Sequence, residues 1–354
     1  MPLQLPQITC AGTPYEIGFA HGSLLRLQVH RTIAFYSSLF LQTTKKSWPE
    51  VQSIAATFLP FIKSHLPSLH DEMEGLADGS QTTLLDIVAI NVRTEINFGL
   101  FSDGCTALSW TVRAREGEKG QGEAKAILAQ NWDWMEGQKE NLVLMTVQGE
   151  GKPVIKMVTE AGLVGKIGLN ERGVGVLLNA VRRKGMSTAK VPCHLGLRVV
   201  LESASREEAV RRLEEFGVAS ACHMLVADES GGVGLEWSSD EGRRLEMDAK
   251  GRVFHSNHYL HKDLKGTDTS WLEDSGFRIK RIEELCDGVR SANLDSLQAL
   301  FRDEANYPGA ICRKQEGDCH SATLFNIVMD LKARKAKVIL GRPVEPDEEL
   351  EISF

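Results

Sequence analysis

The 354-residue sequence has no apolar stretch approaching the ~18 to 20 uncharged residues that a membrane span needs. The richest run in its first half, Ile33 to Leu41, is too short. It also lacks any long run of one charge sign. With 41 Lys+Arg against 48 Asp+Glu the net charge is −7, which argues against nucleic acid or an anionic membrane surface as a partner and leaves small molecules. Met1-Pro2-Leu3-Gln4 carries no basic region ahead of an apolar one, and Glu351-Ile352-Ser353-Phe354 is not a Ser-Lys-Leu type ending. A cytoplasmic protein is expected. The cysteines show no paired spacing: Cys10, Cys105, Cys193, Cys222, Cys286, Cys312 and Cys319 are odd in number and scattered. Structural disulfides are not expected, and most of these thiols should be buried as small hydrophobes.

Two further absences bear on cofactors. Gly173-Val174-Gly175 lacks both the third glycine and the strand–turn–helix setting of a dinucleotide fingerprint, so nicotinamide chemistry is not supported. His255, His258 and His261, or Cys312 with Cys319-His320, offer ligand atoms, but not in the closely spaced pairs usual for structural zinc. Neither a metal nor a resident cofactor is expected. Internal repeats and low-complexity segments are missing as well, and 42% apolar residues with 32 Gly and 11 Pro are ordinary for a folded protein. At ~150 residues per domain the length admits about two domains or one large layered fold.

The first hundred residues read as helical. Thr13-Pro14-Tyr15-Glu16 has an N-cap, Pro at the first helical position and Glu three residues after the cap, and apolar residues then recur at helical spacing as far as Ile33. Further helices are predicted after Trp48-Pro49-Glu50, from Leu69 to Ala77 and from Leu84 to Phe98. Short β-branched runs then predict an antiparallel meander: Thr106–Val112, Ala126–Asn131, Asn141–Val147, Val154–Thr159, Val164–Leu169 and Val174–Ala180. Arg113 to Lys125 reads as an exposed hairpin loop and 170–173 as a turn. Helices at His194–Ser203 and Arg206–Phe216 precede strands at Cys222–Ala227, Gly232–Trp237, Arg244–Met247, Arg252–Ser256, Thr323–Asp330 and Lys337–Leu340. Two more helices are predicted near Ser270–Leu285 and Leu294–Phe301. Two sets of strands with helices around them favour two packed sheets between helical layers.

Within Ser102-Asp103-Gly104-Cys105-Thr106, Cys105 opens a strand immediately after a glycine, where the backbone is open to close approach or to strain. That setting suits an exposed thiolate nucleophile, which needs a base or a cation beside it. It equally suits a buried strand cysteine after a turn.

Asp103-Gly104-Cys105-Thr106 occurs together with Ala129-Gln130-Asn131-Trp132-Asp133, Thr159-Glu160-Ala161-Gly162, His255-Ser256-Asn257-His258 and Ala322-Thr323-Leu324-Phe325-Asn326-Ile327. In these motifs the chain resembles the fungal acyl-coenzyme A:isopenicillin N (6-aminopenicillanic acid) acyltransferase family. Residues 12–18 and 340–343 extend the likeness over almost the whole chain. The resemblance implies an α+β, four-layer αββα sandwich of the N-terminal-nucleophile hydrolase type. It implies a proenzyme that cuts itself between Gly104 and Cys105, leaving a helical α segment (1–104) and a β segment (105–354) associated as a heterodimer within one structural domain. Cys105 would be the nucleophile, and its freed α-amine, with an ordinary pKa of about 7.7 to 8, its own base.

By the same resemblance Asn257 stabilises the oxyanion, Asp133 lies beside the nucleophile and contacts the β-lactam substrate, and Ser238 lies near the site. Read without the family, each is a turn or strand-end residue. Where the family has a Ser-Arg pair, this chain has Cys319-His320. A guanidinium grips a carboxylate with a planar fork that His cannot reproduce, so weaker penicillin-forming activity is expected. Arg182-Arg183-Lys184 offers charge to the phosphates of coenzyme A, or is a solvated turn. The implied reaction moves an acyl group from acyl-CoA, a substrate rather than a cofactor, to 6-aminopenicillanic acid, or exchanges the side chain of isopenicillin N. The alternatives are an amidohydrolase of N-acyl amides or short peptides on the same fold, and an inactive, unprocessed paralogue.

Overall fold

Thr13 caps helix α1 (Pro14–Leu24) as the sequence predicts, accepting from the Glu16 backbone while the Glu16 carboxylate returns to the Thr13 N–H. In this computed structural model residues 3–97, 104–112, 125–267 and 272–354 are described. The expected hairpin loop at 113–124, and Ser102-Asp103 before the candidate nucleophile, lie outside them. The single long helix predicted from Thr13 is two, because Leu25 leaves helical geometry and α2 (Arg26–Thr44) starts afresh. The break lets α1 lie against α5 (Pro67–Ser80) at backbone distance. A Cβ on Gly18 would stand 1.8 Å from the Glu72 carbonyl oxygen, and one on Gly75 would stand 2.0 Å from that of Tyr15. Helices α3 (Trp48–Ala56), α4 (Leu59–His65), α6 (Leu84–Asn91) and α7 (Arg93–Asn97) complete this helical segment.

Among the described residues the strands form two sheets. One runs β1 (Gln7–Gly12), β4 (Leu142–Gly149), β5 (Ile155–Glu160), β6 (Ile167–Asn170), β7 (Gly175–Ala180), β8 (Cys222–Asp228), β9 (Gly231–Trp237), β10 (Gly242–Leu245), with β1 parallel to β4 and the other pairs antiparallel. The other runs β11 (Arg252–His255), β2 (Cys105–Val112), β3 (Lys125–Trp134), β12 (Ala322–Asp330), β13 (Lys335–Arg342), β14 (Glu345–Ser353), all antiparallel. The sheets face each other through β2 and β3 against β7, β8 and β9. Helices α8 (Cys193–Leu201) and α9 (Arg206–Phe216) cover the outer face of the first sheet, and α10 (Asp274–Asp287) and α11 (Leu294–Leu300) that of the second. The expected α+β, four-layer αββα order is what the chain adopts.

The strands that face both a sheet and a helix layer are buried on both sides, which erases the alternation of an ordinary half-exposed strand. β1 and β14 were not predicted, and the reason is visible in their sequences. β14 carries five acids, most of them exposed, on an edge strand that its charges protect from further pairing. The helical segment is tied into the sandwich by buried ionic contacts. Arg93 meets Glu160 at 3.2 Å, and Arg198 meets Glu72 at 2.7 Å. Tyr36 and Lys166 also converge on Glu160. Among the described residues no helix is long and apolar enough to cross a membrane.

Candidate active site

Cys105 is the first residue of β2, opposite Trp132 of β3, as the sequence predicts. It is buried rather than exposed, with 1% of its surface accessible, because its strand faces β7, β8 and β9 of the other sheet and Arg278 of α10 bonds its carbonyl. Its backbone groups are held from three directions. The Cys105 N–H donates to Asn257 Oδ1 at 2.9 Å. Its carbonyl accepts from Arg278 Nη1 at 2.8 Å and from Asn179 Nδ2 at 3.2 Å. One residue earlier, the Gly104 carbonyl accepts from the Asp133 N–H at 3.0 Å. The peptide bond between Gly104 and Cys105 is therefore gripped at both its oxygen and its nitrogen.

Space at Gly104 is filled by its neighbours: a Cβ there would lie 2.6 Å from Arg313 Nε and 3.0 Å from Asp133 Oδ2. Asn257 follows β11 and is buried. Its Oδ1 also accepts from Arg278 Nη2 at 2.8 Å, and its Nδ2 donates to the Ala180 carbonyl at 3.0 Å. In the continuous chain it thus presents its oxygen, not its amide N–H, to the cysteine nitrogen.

Asp133 lies fully buried in β3. Oδ1 accepts from Thr323 Oγ1 at 2.7 Å, while Oδ2 has no hydrogen-bond partner among the described residues and stands 3.6 Å from Arg313 Nε. Burial pushes this carboxyl up to about 7, outweighing the opposing pull of Arg313, Arg278 and the Thr323 hydroxyl. Arg313 is paired in turn with Asp274, and Asp274 Oδ1 accepts from Arg278 Nε at 3.0 Å. The result is an alternating line, Asp133–Arg313–Asp274–Arg278, that begins at the Gly104 carbonyl and ends at the Cys105 carbonyl. Arg278, wholly buried, is held below its usual range first by desolvation and then by the Arg313 charge.

Arg313 also lines a cavity of about 700 Å³, together with Asp274, Phe277, Tyr307, Cys319 and His320. Its Nη1 donates to Cys319 Sγ at 3.2 Å. His320 is exposed on the wall of this cavity and makes no bond to the groups around Cys105. The Ser238 side chain bonds within its own turn, accepting from the Glu241 N–H at 3.1 Å and the Asp240 N–H at 3.3 Å. The three histidines do not converge. His255 bonds Glu236 and His258 bonds Ser275, and among the described residues the group of ligand-type side chains close enough for an ion is His70, Asp71 and Glu74, elsewhere on the surface.

Sequence reasoning missed Arg278, Arg313 and Asn179. The available signals were weak. Asp274 and Arg278 have the i, i+4 spacing of a surface helix pair, and Arg313 sits beside the apolar Ile311-Cys312.

The described residues form a four-layer αββα sandwich in which an inner strand begins at a cysteine that follows a glycine. A family model described as acyl-coenzyme A:6-aminopenicillanic acid acyl-transferase matches residues 119–345. The chain is 37% identical over 352 residues, 98% of its own length and 96% of the relative's, to the acyl-coenzyme A:6-aminopenicillanic-acid-acyltransferase 40 kDa form of Emericella nidulans. It belongs to that acyltransferase family. Likeness to solved structures is looser. Penicillin V acylase from Agrobacterium tumefaciens has a TM-score of 0.48 at 15% identity, covering 71% of this chain and 86% of that one. A mutant conjugated bile acid hydrolase from Clostridium perfringens has 0.44 at 12%, covering 70% and 92%.

Proposed function

We propose that this chain is a self-processing cysteine acyltransferase that moves an acyl group from acyl-CoA to 6-aminopenicillanic acid, or exchanges the side chain of isopenicillin N. Cys105 is its nucleophile. The observation that carries the reading is the grip on the Gly104–Cys105 peptide, with its oxygen on the Asp133 N–H and its nitrogen on Asn257. For cleavage, Cys105 Sγ adds to the Gly104 carbonyl carbon, and the Asp133 N–H takes the developing negative oxygen. The C–N bond breaks as the nitrogen gains a proton, and water hydrolyses the resulting thioester. Gly104 keeps a carboxylate, and Cys105 keeps a thiol and a new α-amine.

Asp133, with its carboxyl near 7, is placed to carry protons through these steps at neutral pH. In the mature site the amine takes the thiol proton, the thiolate displaces coenzyme A from the acyl donor, and the acceptor amine then attacks the acyl-cysteine. Asn257 Nδ2 supplies the oxyanion donor once released from the Ala180 carbonyl. The two segments stay together through the buried Arg93–Glu160 and Glu72–Arg198 pairs. Seven free cysteines suit a reducing cytoplasm.

A second reading, hydrolysis of N-acyl amides at the same thiol, is favoured by one feature. The Arg313 guanidinium in the cavity is already engaged by Asp274 and Cys319, so a carboxylate-bearing acceptor is offered little. Intact-mass measurement of the wild type and a Cys105→Ala variant tests the proposal, followed by rates of acyl transfer to 6-aminopenicillanic acid and to water. Pieces of 1–104 and 105–354 in the wild type only, with transfer exceeding hydrolysis, are expected. Two folded, uncut proteins would sink the reading.

A further inference from the structure

We propose that Glu236 and His255 are a positioning pair that fixes the 256–261 loop, and through Asn257 the nitrogen of Cys105, for the self-processing reaction read above. His255 ends β11. Its Nε2 lies 2.9 Å from Glu236 Oε1 and its Nδ1 lies 2.7 Å from the Ser256 carbonyl oxygen. Both ring nitrogens thus face oxygen acceptors, the Glu236 carboxylate on one side and the Ser256 carbonyl on the other. That carboxylate also gathers the far end of the loop, accepting the Leu260 N–H on Oε1 at 2.6 Å and the His261 N–H on Oε2 at 2.9 Å. Asn257 sits between the two clamped ends. Both members of the pair are fully buried.

A second arm leaves the same pair. The His223 ring stacks on His255 with centroids 3.6 Å apart, and its Nδ1 lies 3.0 Å from Asn179 Oδ1. Asn179 Nδ2 then donates to the Cys105 carbonyl. The two asparagines that hold the N–H and the C=O of Cys105 thus trace back to one buried pair, Glu236 and His255. Such a pair adds little net stability over apolar packing, and its gain here is a defined loop geometry. Three donors converge on Glu236, and a Gln side chain has one acceptor oxygen for them, so Glu236→Gln must release at least one.

The test uses the full chain. For Glu236→Gln, self-cleavage followed by intact mass and kcat for acyl transfer should fall by about 10-fold to 100-fold, with KM for the acyl donor within about twofold. In an uncut Cys105→Ala background, the amide at position 105 should exchange with solvent about 10-fold faster in Glu236→Gln, while the amides of β12 keep their protection. The control is Glu72→Gln in the same uncut background, which breaks an equally buried pair between α5 and α8 and should lower Tm without moving the exchange at position 105. Wild-type cleavage and exchange in Glu236→Gln would overturn the proposal, as would the same faster exchange in Glu72→Gln. If Glu236→Gln does not fold, His255→Gln replaces it, and wild-type rates or a second failure to fold also overturn the positioning role. A wild type that never cuts itself refutes the acyltransferase reading instead, and the exchange arm still decides this one.

Discussion

Replacing Asp133 by Asn should flatten the dependence of stability on pH in a predictable direction. Asp133 is completely buried and its carboxyl is pushed up to about 7, against roughly 3.9 in an unfolded chain. Between these values the folded state holds a proton that the unfolded state has lost. The protonated form therefore stabilises the fold at low pH, and that stabilisation disappears as pH rises through about 7. From pH 5 to pH 7 the change is just under two full units of ~1.4 kcal/mol, because the folded carboxyl is itself half ionised at pH 7, or about 2.3 kcal/mol as an order of magnitude. Asn keeps the backbone N–H that holds Gly104 and can still accept from Thr323, but it cannot titrate. Urea unfolding of Cys105→Ala and of Cys105→Ala/Asp133→Asn at pH 5, 6, 7 and 8 isolates the effect, because every other titrating group is common to both and a constant offset from the lost Arg313 contact cancels in the slope. The single variant should lose stability across this range faster than the double. Parallel slopes would mean that Arg313 and Arg278 keep Asp133 ionised throughout and that desolvation does not win.

Three other outcomes follow from the same geometry. Gly104→Ala places a methyl within 2.6 Å of Arg313 Nε and should slow self-cleavage at least about tenfold in a folded protein, read by the time course of intact mass. His320→Arg adds a guanidinium to the wall of the cavity and should raise kcat/KM for 6-aminopenicillanic acid about tenfold, one bidentate pair being the gain; no increase removes His320 from the acceptor site. Glu160→Gln removes the buried carboxylate charge that Arg93 and Lys166 share and should cost about 3 to 5 kcal/mol in thermal or urea unfolding. Burial disfavours the Glu160 charge, but the two cations outweigh it and hold the carboxyl well below its usual range. The Glu160 stabilisation is therefore present above the usual carboxylate range and lost as pH falls below it, so the gap between wild type and Glu160→Gln should narrow in acid.

The layers were legible because they are written in local chemistry. The Thr13 box, the β-branched runs and the acid-rich start of α9 each specify an element through nearest neighbours. The strand that opens at Cys105 was legible for the same reason. What escaped was non-local. Gly18-x-x-x-Gly22 and Gly75-x-x-x-Gly79 are the marks of two helices in backbone contact, yet nothing in either segment names its partner. β14 looks like a solvated acidic tail until β13 supplies its ladder. Arg278 and Arg313 belong to segments that read as a surface helix and a loop, and only the fold carries them 173 and 209 positions back along the chain to Cys105 and Gly104. A charge acts through space, so spacing in sequence does not find it. The family likeness found Asn257 and Asp133 because a motif preserves the outcome of folding, but it was silent on the arginines between them.

The buried position of Cys105 makes sense once the charges are followed through cleavage. In the continuous chain its nitrogen is an amide that can only donate, and Asn257 Oδ1 accepts from it alongside Arg278. On the proposed reading, cutting would turn that nitrogen into an amine near the Arg278 and Arg313 guanidiniums. Neighbouring cations disfavour an ammonium and so favour the neutral amine that can take a proton from the thiol. Asp133 acts in the opposite sense when ionised, and its buried carboxyl near 7 keeps part of that opposition away at neutral pH. In the proposed reaction the line from Asp133 to Arg278 would serve both stages: it would hold the residues on either side of the bond to be broken, and it would leave the product amine unprotonated where the nucleophile needs it.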